Sequence, residues 1–286
     1  MKSDIIYRLR HEMPSFSKGQ KKIATFLIDH FDKASYLTAA KLGAEVGVSE
    51  STVVRFASEL GFSGYPQLQK ALQDVSRNML TAVQRMEVAS TKFDVDDVPN
   101  KVLHSDIEKI RKTLEEMDKN DFDRAVDSII GAKRIYLIGT GSSSALANFL
   151  AFYLNHIFDN VKLVGSSSAG DVFESIISID SDDVLIGLSF PRYSKRTVSA
   201  MRYASEKNVK VIAITDSLQS PLAQYADNML IARSDMASFV DSLVAPLSLV
   251  NALIVSLGLR RKDEVSKKLQ KLEQFWEEYE VYDSNK

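Results

Sequence analysis

The chain has 286 residues, no cysteine, 26% charged side chains and a formal net charge of −2. That length allows two domains with separate cores, and the composition belongs to a folded chain rather than a disordered one. The absence of cysteine excludes a disulfide framework, a thiolate metal site and a thiol nucleophile; with no apolar run of signal-peptide or membrane length, the expected setting is cytoplasmic.

The first part reads as helix throughout. Asp4 to Met13 is periodic and is stopped by Pro14. Ser17 suits the N-cap of a helix over Lys18 to Phe31, with Ile23, Phe26, Leu27 and Phe31 on one face. Thr38 is placed to cap a further helix carrying Leu42 and Val46. Gly47 follows, a residue for which a left-handed turn costs little. Val48 fills the angle, Ser49 caps a second helix, and Val53, Phe56 and Leu60 face inward until Gly61 ends it. Gly43 is small enough to let the two helices approach. Together these positions specify a helix-turn-helix.

With that face buried, Ser51, Thr52, Arg55 and Ser58 point outward. Such a short, polar, singly positive surface suits a helix in a DNA major groove. Ser49 and Lys41 join them as candidate DNA contacts; Lys70 and the turn Ser63 to Tyr65 are candidate contacts to the DNA backbone. Arg55 suits a guanine edge and a phosphate equally well. Residues 1–78 carry a formal charge of +3 and the remainder −5, a weak pull toward DNA that dimerisation would double. The alternative is an ordinary helical hairpin with a solvated face.

Residues 79–100 are less periodic, rich in Thr, Ser, Asp and Val, and end near Pro99. They read as a linker, with room for a helix to continue into its start, between a helix-turn-helix domain over 1–78 and a second domain over 101–286. Two helical stretches open the second domain, the later one starting near Asp121 and stopping at Gly131. Short β-rich runs then alternate with helical segments: Arg134–Ile138, Val161–Val164, Val184–Leu188, Val209–Ile214 and Met229–Ile231. This alternation predicts an α/β domain, a five-stranded parallel sheet flanked by helices on both faces. A last charged helix, Lys262 to Tyr282, spaces Val265, Leu269, Leu272, Phe275, Trp276 and Tyr279 for packing on this domain or on another subunit.

Two loops carry the chemistry. Gly139-Thr140-Gly141-Ser142-Ser143-Ser144 follows the first strand, and Ser189 to Thr197 follows the third; each opens a helix. Unpaired N–H groups at a helix start suit a phosphate, and hydroxyls suit sugar oxygens. A dinucleotide is disfavoured, because Ser144 stands where the fingerprint has its third glycine and no acidic residue follows Val164-Gly165-Ser166. No Gly-Lys-Ser/Thr closes a P-loop. Gly139, Gly141, Ser142, Ser143, Ser189, Arg192, Ser194 and Thr197 are the candidate ligand contacts, with Arg196 a further source of charge. Ser142 and Ser144 suit helix capping equally, and Arg192 and Arg196 suit solvent equally.

The Gly139 to Ser143 loop resembles the first glycine-serine loop of the sugar isomerase (SIS) domain. Ser194-x-x-Thr197 is similar to its second loop, with Lys195 in place of a glycine and Pro191-Arg192-Tyr193 departing from the enzyme-like pattern. Thr215-Asp216-Ser217, Ser220 to Ala223 and Ala226-Asp227 resemble the family's fourth strand and the helix after it. Joined to the helix-turn-helix, the chain resembles the RpiR/MurR family of bacterial transcriptional regulators, from the first helix to about Leu259. The resemblance implies a homodimer or homotetramer that binds operator DNA and responds to a phosphorylated sugar, amino-sugar phosphates among the candidates, with no cofactor or metal; repression is the family's usual mode.

Aldose–ketose isomerisation needs a positioned base. His104 and His156 lie on helical stretches. Asp171 and Glu174 follow the second strand without an acid–base pairing and suit capping as well. The domain therefore reads as a sensor without catalysis. The rival readings are a sugar-phosphate isomerase with a helical accessory domain and a protein-binding adaptor.

Overall fold

The computed structural model describes residues 2–76, 81–92, 95–165, 168–234 and 240–281. The boundary expected at 78/79, Ser166, and Tyr282, the expected end of the last helix, lie outside these residues. The chain forms two compact units. One is residues 1–98 with a short segment ending at Asp241; the other is the rest of the chain.

In the first unit, α1 (Lys2–Glu12) gives way to a 3-10 turn at Met13–Ser15, where Pro14 removes a backbone donor. A reciprocal capping box opens α2 (Lys18–Asp29): Ser17 N donates to Gln20 Oε1 at 2.7 Å, and Gln20 N donates to Ser17 Oγ at 3.5 Å. The helix expected to reach Phe31 breaks instead at His30, whose φ of −126° and ψ of 43° are not helical, and α3 (Phe31–Ala34) resumes.

Next come α4 (Ala39–Val46), α5 (Glu50–Glu59) and α6 (Tyr65–Ser76). Leu42, Val53, Phe56 and Leu60 lie in one buried cluster with Ile23, Leu27 and Leu68. Arg8 donates to the Leu60 carbonyl at 2.6 Å, a cation at the end of α5 where the helix dipole is negative. From α6, the Tyr65 hydroxyl and Gln69 both donate to the Leu37 carbonyl at 2.7 Å and hold the turn before α4. The span expected as a linker contains α7 (Ala82–Lys92), whose buried Arg85 pairs with Asp241 at 2.8 Å.

The second unit begins with α8 (Val98–Glu116) and α9 (Lys119–Gly131), the latter capped by Asp118. Then β1 (Ile135–Gly139), α10 (Ser143–Ile157), β2 (Val161–Leu163), α11 (Ala169–Ile176), β3 (Val184–Leu188), α12 (Lys195–Glu206), β4 (Lys210–Thr215) and β5 (Asn228–Ile231) alternate. The segment after β4, expected as a helix, is a single 3-10 turn at Ala223–Tyr225. The chain continues through α13 (Val244–Arg260) and α14 (Lys262–Glu278). No single helix among the described residues is long and apolar enough to cross a membrane.

The five strands are parallel in the order β2-β1-β3-β4-β5. Alternate residues serve opposite faces, as strand geometry requires. Ile135, Leu137, Ile186 and Ile212 pack with α9, α10 and α13. Tyr136, Ile138, Leu185 and Val211 pack with α11 and α12. Asp121 closes the β5 end of the sheet by accepting from Asn228 Nδ2 at 2.9 Å and Met229 N at 3.1 Å. Arg134 grips buried Asp183 through two bonds of 2.8 and 2.7 Å, pinning the start of β1 to the start of β3.

A Cβ at Gly43 would lie 2.8 Å from the Val48 carbonyl oxygen. Gly43→Ala is therefore expected to cost about 1–3 kcal/mol in urea unfolding, as overpacking does; an unchanged midpoint would refute the close approach of α4 to the turn. Burial pushes the Tyr65 phenol up to about 12 from its usual value near 10. The neutral phenol's contribution to stability is full below about pH 10 and is lost as pH rises toward 12, because the unfolded chain ionises first. Tyr65→Phe should flatten the stability profile over that window, measured by denaturant titration at each pH.

Candidate functional site

The helix-turn-helix is assembled by three local bonds. Lys41 N donates to Thr38 Oγ1 at 3.2 Å and starts α4. Gly47 then turns left-handed, with φ 70° and ψ 48°, and Val48 N donates back to the Gly43 carbonyl at 2.9 Å. Thr52 N donates to Ser49 Oγ at 3.3 Å and starts α5. Val53, Phe56 and Ala57 are buried, so Ser51, Arg55 and Ser58 are left exposed along one side of α5.

The expected DNA-facing residues are not equivalent. Arg55 and Lys41 are exposed. Ser49, Ser51 and Thr52 form a hydroxyl cluster at the start of α5, with Ser49 Oγ 2.9 Å from Ser51 Oγ and 2.8 Å from Thr52 Oγ1. Thr52 is half-buried, its methyl turned toward Gly19 of α2. Ser58 Oγ bonds back to the Val54 carbonyl at 3.3 Å. The sequence reading overlooked Lys22. This exposed residue of α2 places its ammonium beside the Gly47 turn, 3.7 Å from where a Cβ there would sit.

In the other unit, strand order brings the two loops together. β1 and β3 are neighbours, with Gly139 opposite Leu188. From these adjacent strands α10 leaves toward one face of the sheet and α12 toward the other. The crevice at the carboxyl ends of the strands is therefore a topological switch point, where open α/β sheets bind ligands.

The first loop turns tightly. A Cβ at Gly139 would lie 2.5 Å from the Ser143 carbonyl oxygen, and Gly141 has φ 60°. Ser144 Oγ donates to the Gly141 carbonyl at 2.7 Å, so its hydroxyl serves the loop. Ser142 is exposed at the N-cap position and makes no side-chain capping bond. Ser143, the first residue of α10, is buried. No acidic residue lies in the first turn of α10.

The second loop is held from below. Ser194 N donates to buried Ser189 Oγ at 3.0 Å. Thr197 N donates to Ser194 Oγ at 3.4 Å, capping α12. A hydroxyl that accepts keeps its proton, so Ser194 still has a donor for a ligand oxygen. Thr197 lies fully enclosed beneath it, and its Oγ1 has no hydrogen-bond partner. The first turn of α12 carries Lys195 and Arg196 and no acid. Arg192 is exposed, and the Pro191–Arg192 peptide is cis. Tyr193, in the insertion that departs from the enzyme-like pattern, donates its hydroxyl to Asp216 Oδ1 at 2.7 Å. That bond ties the second loop to the end of β4, and nothing in the local sequence pattern announced it.

Three of the four candidate bases are used elsewhere. His104 Nδ1 lies 2.8 Å from the Asn100 carbonyl and His156 Nδ1 2.9 Å from that of Phe152, each one turn back on its own helix. Asp171 completes a capping box with Ser168, accepting from Ser168 N at 2.9 Å. Glu174 is exposed on α11. Among the described residues no group of three or more His, Asp or Glu side chains is placed to hold a metal.

Gly139→Ala should displace the Ser143 carbonyl and cost about 1–3 kcal/mol in unfolding measurements. Tyr193→Phe should cost about 1.5–3 kcal/mol, the usual value of a hydrogen bond to a charged group. A Tyr193→Phe protein with wild-type stability would refute the latch.

Two family models match this chain: the helix-turn-helix domain of the rpiR family over residues 4–78, and the SIS domain over residues 128–256. Among curated proteins, the HTH-type transcriptional regulator HexR of Escherichia coli is 27% identical over 90% of this chain and 89% of its own. An HTH-type transcriptional regulator of Clostridium perfringens is 28% identical over 76% of this chain and 77% of its own. Among solved structures, the sugar isomerase domain of an RpiR transcription factor from Sphaerobacter thermophilus matches with 29% identity and a TM-score of 0.59, over 62% of this chain and 99% of that one. The NanR protein of Vibrio vulnificus, complexed with ManNAc-6P, matches with 24% identity and a TM-score of 0.59, over 95% of this chain and 97% of that one.

Proposed function

This chain belongs to the rpiR family of helix-turn-helix transcriptional regulators with a SIS domain, and we propose that a phosphorylated sugar held between the β1 and β3 loops controls its grip on operator DNA. The observation that carries this reading is the pair of helix N-termini, α10 and α12, set on adjacent strands with no carboxylate in either first turn. Both direct the positive ends of their dipoles at one crevice, which favours a dianion. Lys195 and Arg196 add charge at the α12 end.

Backbone amides after Gly139 and Gly141 hold the phosphate in this reading. Ser142 and Ser194 present hydroxyls to the sugar. Amino-sugar phosphates are the first candidates, by analogy with the ManNAc-6P complex of NanR. Arg55 and Lys41 meet the operator, with Lys22 on the flanking backbone. The protein works in the cytoplasm as a homodimer or homotetramer, most simply as a repressor.

Sensing is favoured over isomerisation because the nearby acids already have structural work. Asp216 receives the Tyr193 hydroxyl and Asp171 caps α11, so both are engaged in holding loops and helix ends. A turnover assay on phosphorylated aldoses and ketoses separates the two readings; sustained conversion at enzyme-limited rates would establish the isomerase.

Operator binding should weaken steeply with salt and change at least about tenfold when the right phosphosugar saturates the site, measured by fluorescence anisotropy. The same sugar at a hundred times its Kd should stabilise the protein by about 2.7 kcal/mol. Ser194→Ala should shrink that stabilisation without altering ligand-free DNA binding. Arg55→Ala should weaken DNA binding about tenfold or more and leave the thermal shift unchanged. Operator affinity indifferent to every phosphosugar in a broad panel would sink the sensor assignment.

A further inference from the structure

α8 is built inside out. The residues it buries are polar: Lys109 is 3% exposed and Thr113 7%. Lys109 donates to Ser105 Oγ at 2.8 Å and to Asp106 Oδ1 at 3.0 Å, and Ser242 Oγ donates to Asp106 at 2.6 Å. Arg233 N donates to Thr113 Oγ1 at 2.9 Å, and the Arg233 side chain pairs with Glu116. The aliphatic residues lie on another face and point to solvent. Leu103 is 61% exposed, Ile107 60%, Ile110 37% and Leu114 69%.

Their spacing alternates four, three and four residues. At about 100° per residue the four side chains fall within a stripe of roughly 60°. A single exposed aliphatic is ordinary, whereas a continuous stripe marks a contact surface. α8 already satisfies its own unit through Asp106, Lys109, Thr113 and Glu116, so the stripe is not used in packing that unit.

We propose that the stripe is covered by α8 of a second copy of this chain, packed antiparallel across a two-fold axis level with residues 108 and 109. The stripe reads the same from either end. Turning it end over end sets Leu103 against Leu114 of the partner subunit and Ile107 against the partner's Ile110. An isologous interface needs this self-complementarity. The charged row beside the stripe agrees. Lys101, Glu108, Arg111 and Glu115 lie along one flank, with Arg111 bonded to Glu108 at 2.6 Å and Glu115 at 2.7 Å within the helix. The same rotation brings Lys101 within about 1.5 Å of the level of the partner's Glu115, opposite charges at each end of the pair, while near the axis Arg111, bonded to Glu108 in its own helix, offsets the approach of Glu108 to the partner's Glu108. An apolar centre with a charged rim is the usual anatomy of such an interface.

The inference rests on the reading of the chain as an oligomer, and the test separates the two. The natural chain has no cysteine, so introduced thiols report without background. Full-length Leu103→Cys and Leu114→Cys proteins, mixed and oxidised, should give a disulfide-linked dimer on non-reducing gels. Each alone should give none, because like positions lie about 16 Å apart along the antiparallel pair, beyond disulfide reach. Ile107→Lys should raise the dimer dissociation constant at least about 100-fold in sedimentation equilibrium, and adding Ile110→Glu in the same chain should restore dimer, since each lysine then meets a glutamate. Circular dichroism confirms that each variant folds. Cross-linking of Leu103→Cys alone would overturn the antiparallel register. A dimer untouched by Ile107→Lys would overturn the assignment to α8 and leave oligomerisation standing, while a monomeric wild-type protein would overturn both.

Discussion

Two glycines on neighbouring strands set the geometry of the α/β unit. Gly139 ends β1, and Gly187 lies in β3 opposite Ile138. A Cβ at Gly139 would sit 2.5 Å from the Ser143 carbonyl and 3.0 Å from the Ala147 methyl; one at Gly187 would sit 2.4 Å from the Met201 sulfur. The first glycine lets α10 settle against one face of the sheet, and the second lets α12 settle against the other. Both helices therefore begin close to the carboxyl ends of adjacent strands. The Arg134–Asp183 pair pins those strands at their opposite end. The crevice between the loops follows from these contacts, and the loop side chains need only decorate it.

A similar economy operates in the helical unit. Gly43 faces the Val48 carbonyl and Gly47 adopts the left-handed turn, so backbone geometry alone fixes the angle between α4 and α5. The side chains of α5 then divide between packing and exposure. Val53, Phe56 and Ala57 anchor the helix, while Arg55 and Ser51 remain outside. An edge-to-face contact between Phe16 and Phe56, with ring centroids 5.2 Å apart, braces α5 from the corner between α1 and α2.

The features legible in the sequence are those written in local pattern. Thr38, Gly47 and Ser49 mark helix ends through neighbours no more than four residues away, and the β-rich runs mark strands through composition. Features that depend on distant partners were not legible. Gly187 reads as one more small residue in an apolar run until Met201 lies over it. The Tyr193–Asp216 bond joins residues 23 apart. The segment after β4 has a helix-like composition, yet forms only the turn Ala223–Tyr225 before β5 pairs beside β4. α7 lies where the linker leaves room for a helix at its start, but the partner of its buried Arg85, Asp241, lies far along the chain.

The placement of charge explains why this site suits sensing. α11 carries its own acid, Asp171, at its N-terminus, and that carboxylate accepts from Ser168 N. α10 and α12 carry none, so no side-chain carboxylate offsets the positive ends of their dipoles. Asp216 lies at the end of β4 beside the crevice, but the Tyr193 phenol already binds it. A carboxylate engaged in this way steadies a loop better than it removes a proton from carbon. A ligand that presses on the Ser189–Ser194 loop must work against the Tyr193–Asp216 bond, and that bond joins the loop to β4. Ligand energy is then directed into the position of the loop, and a difference in affinity between two loop positions is the physical requirement for control of a distant function.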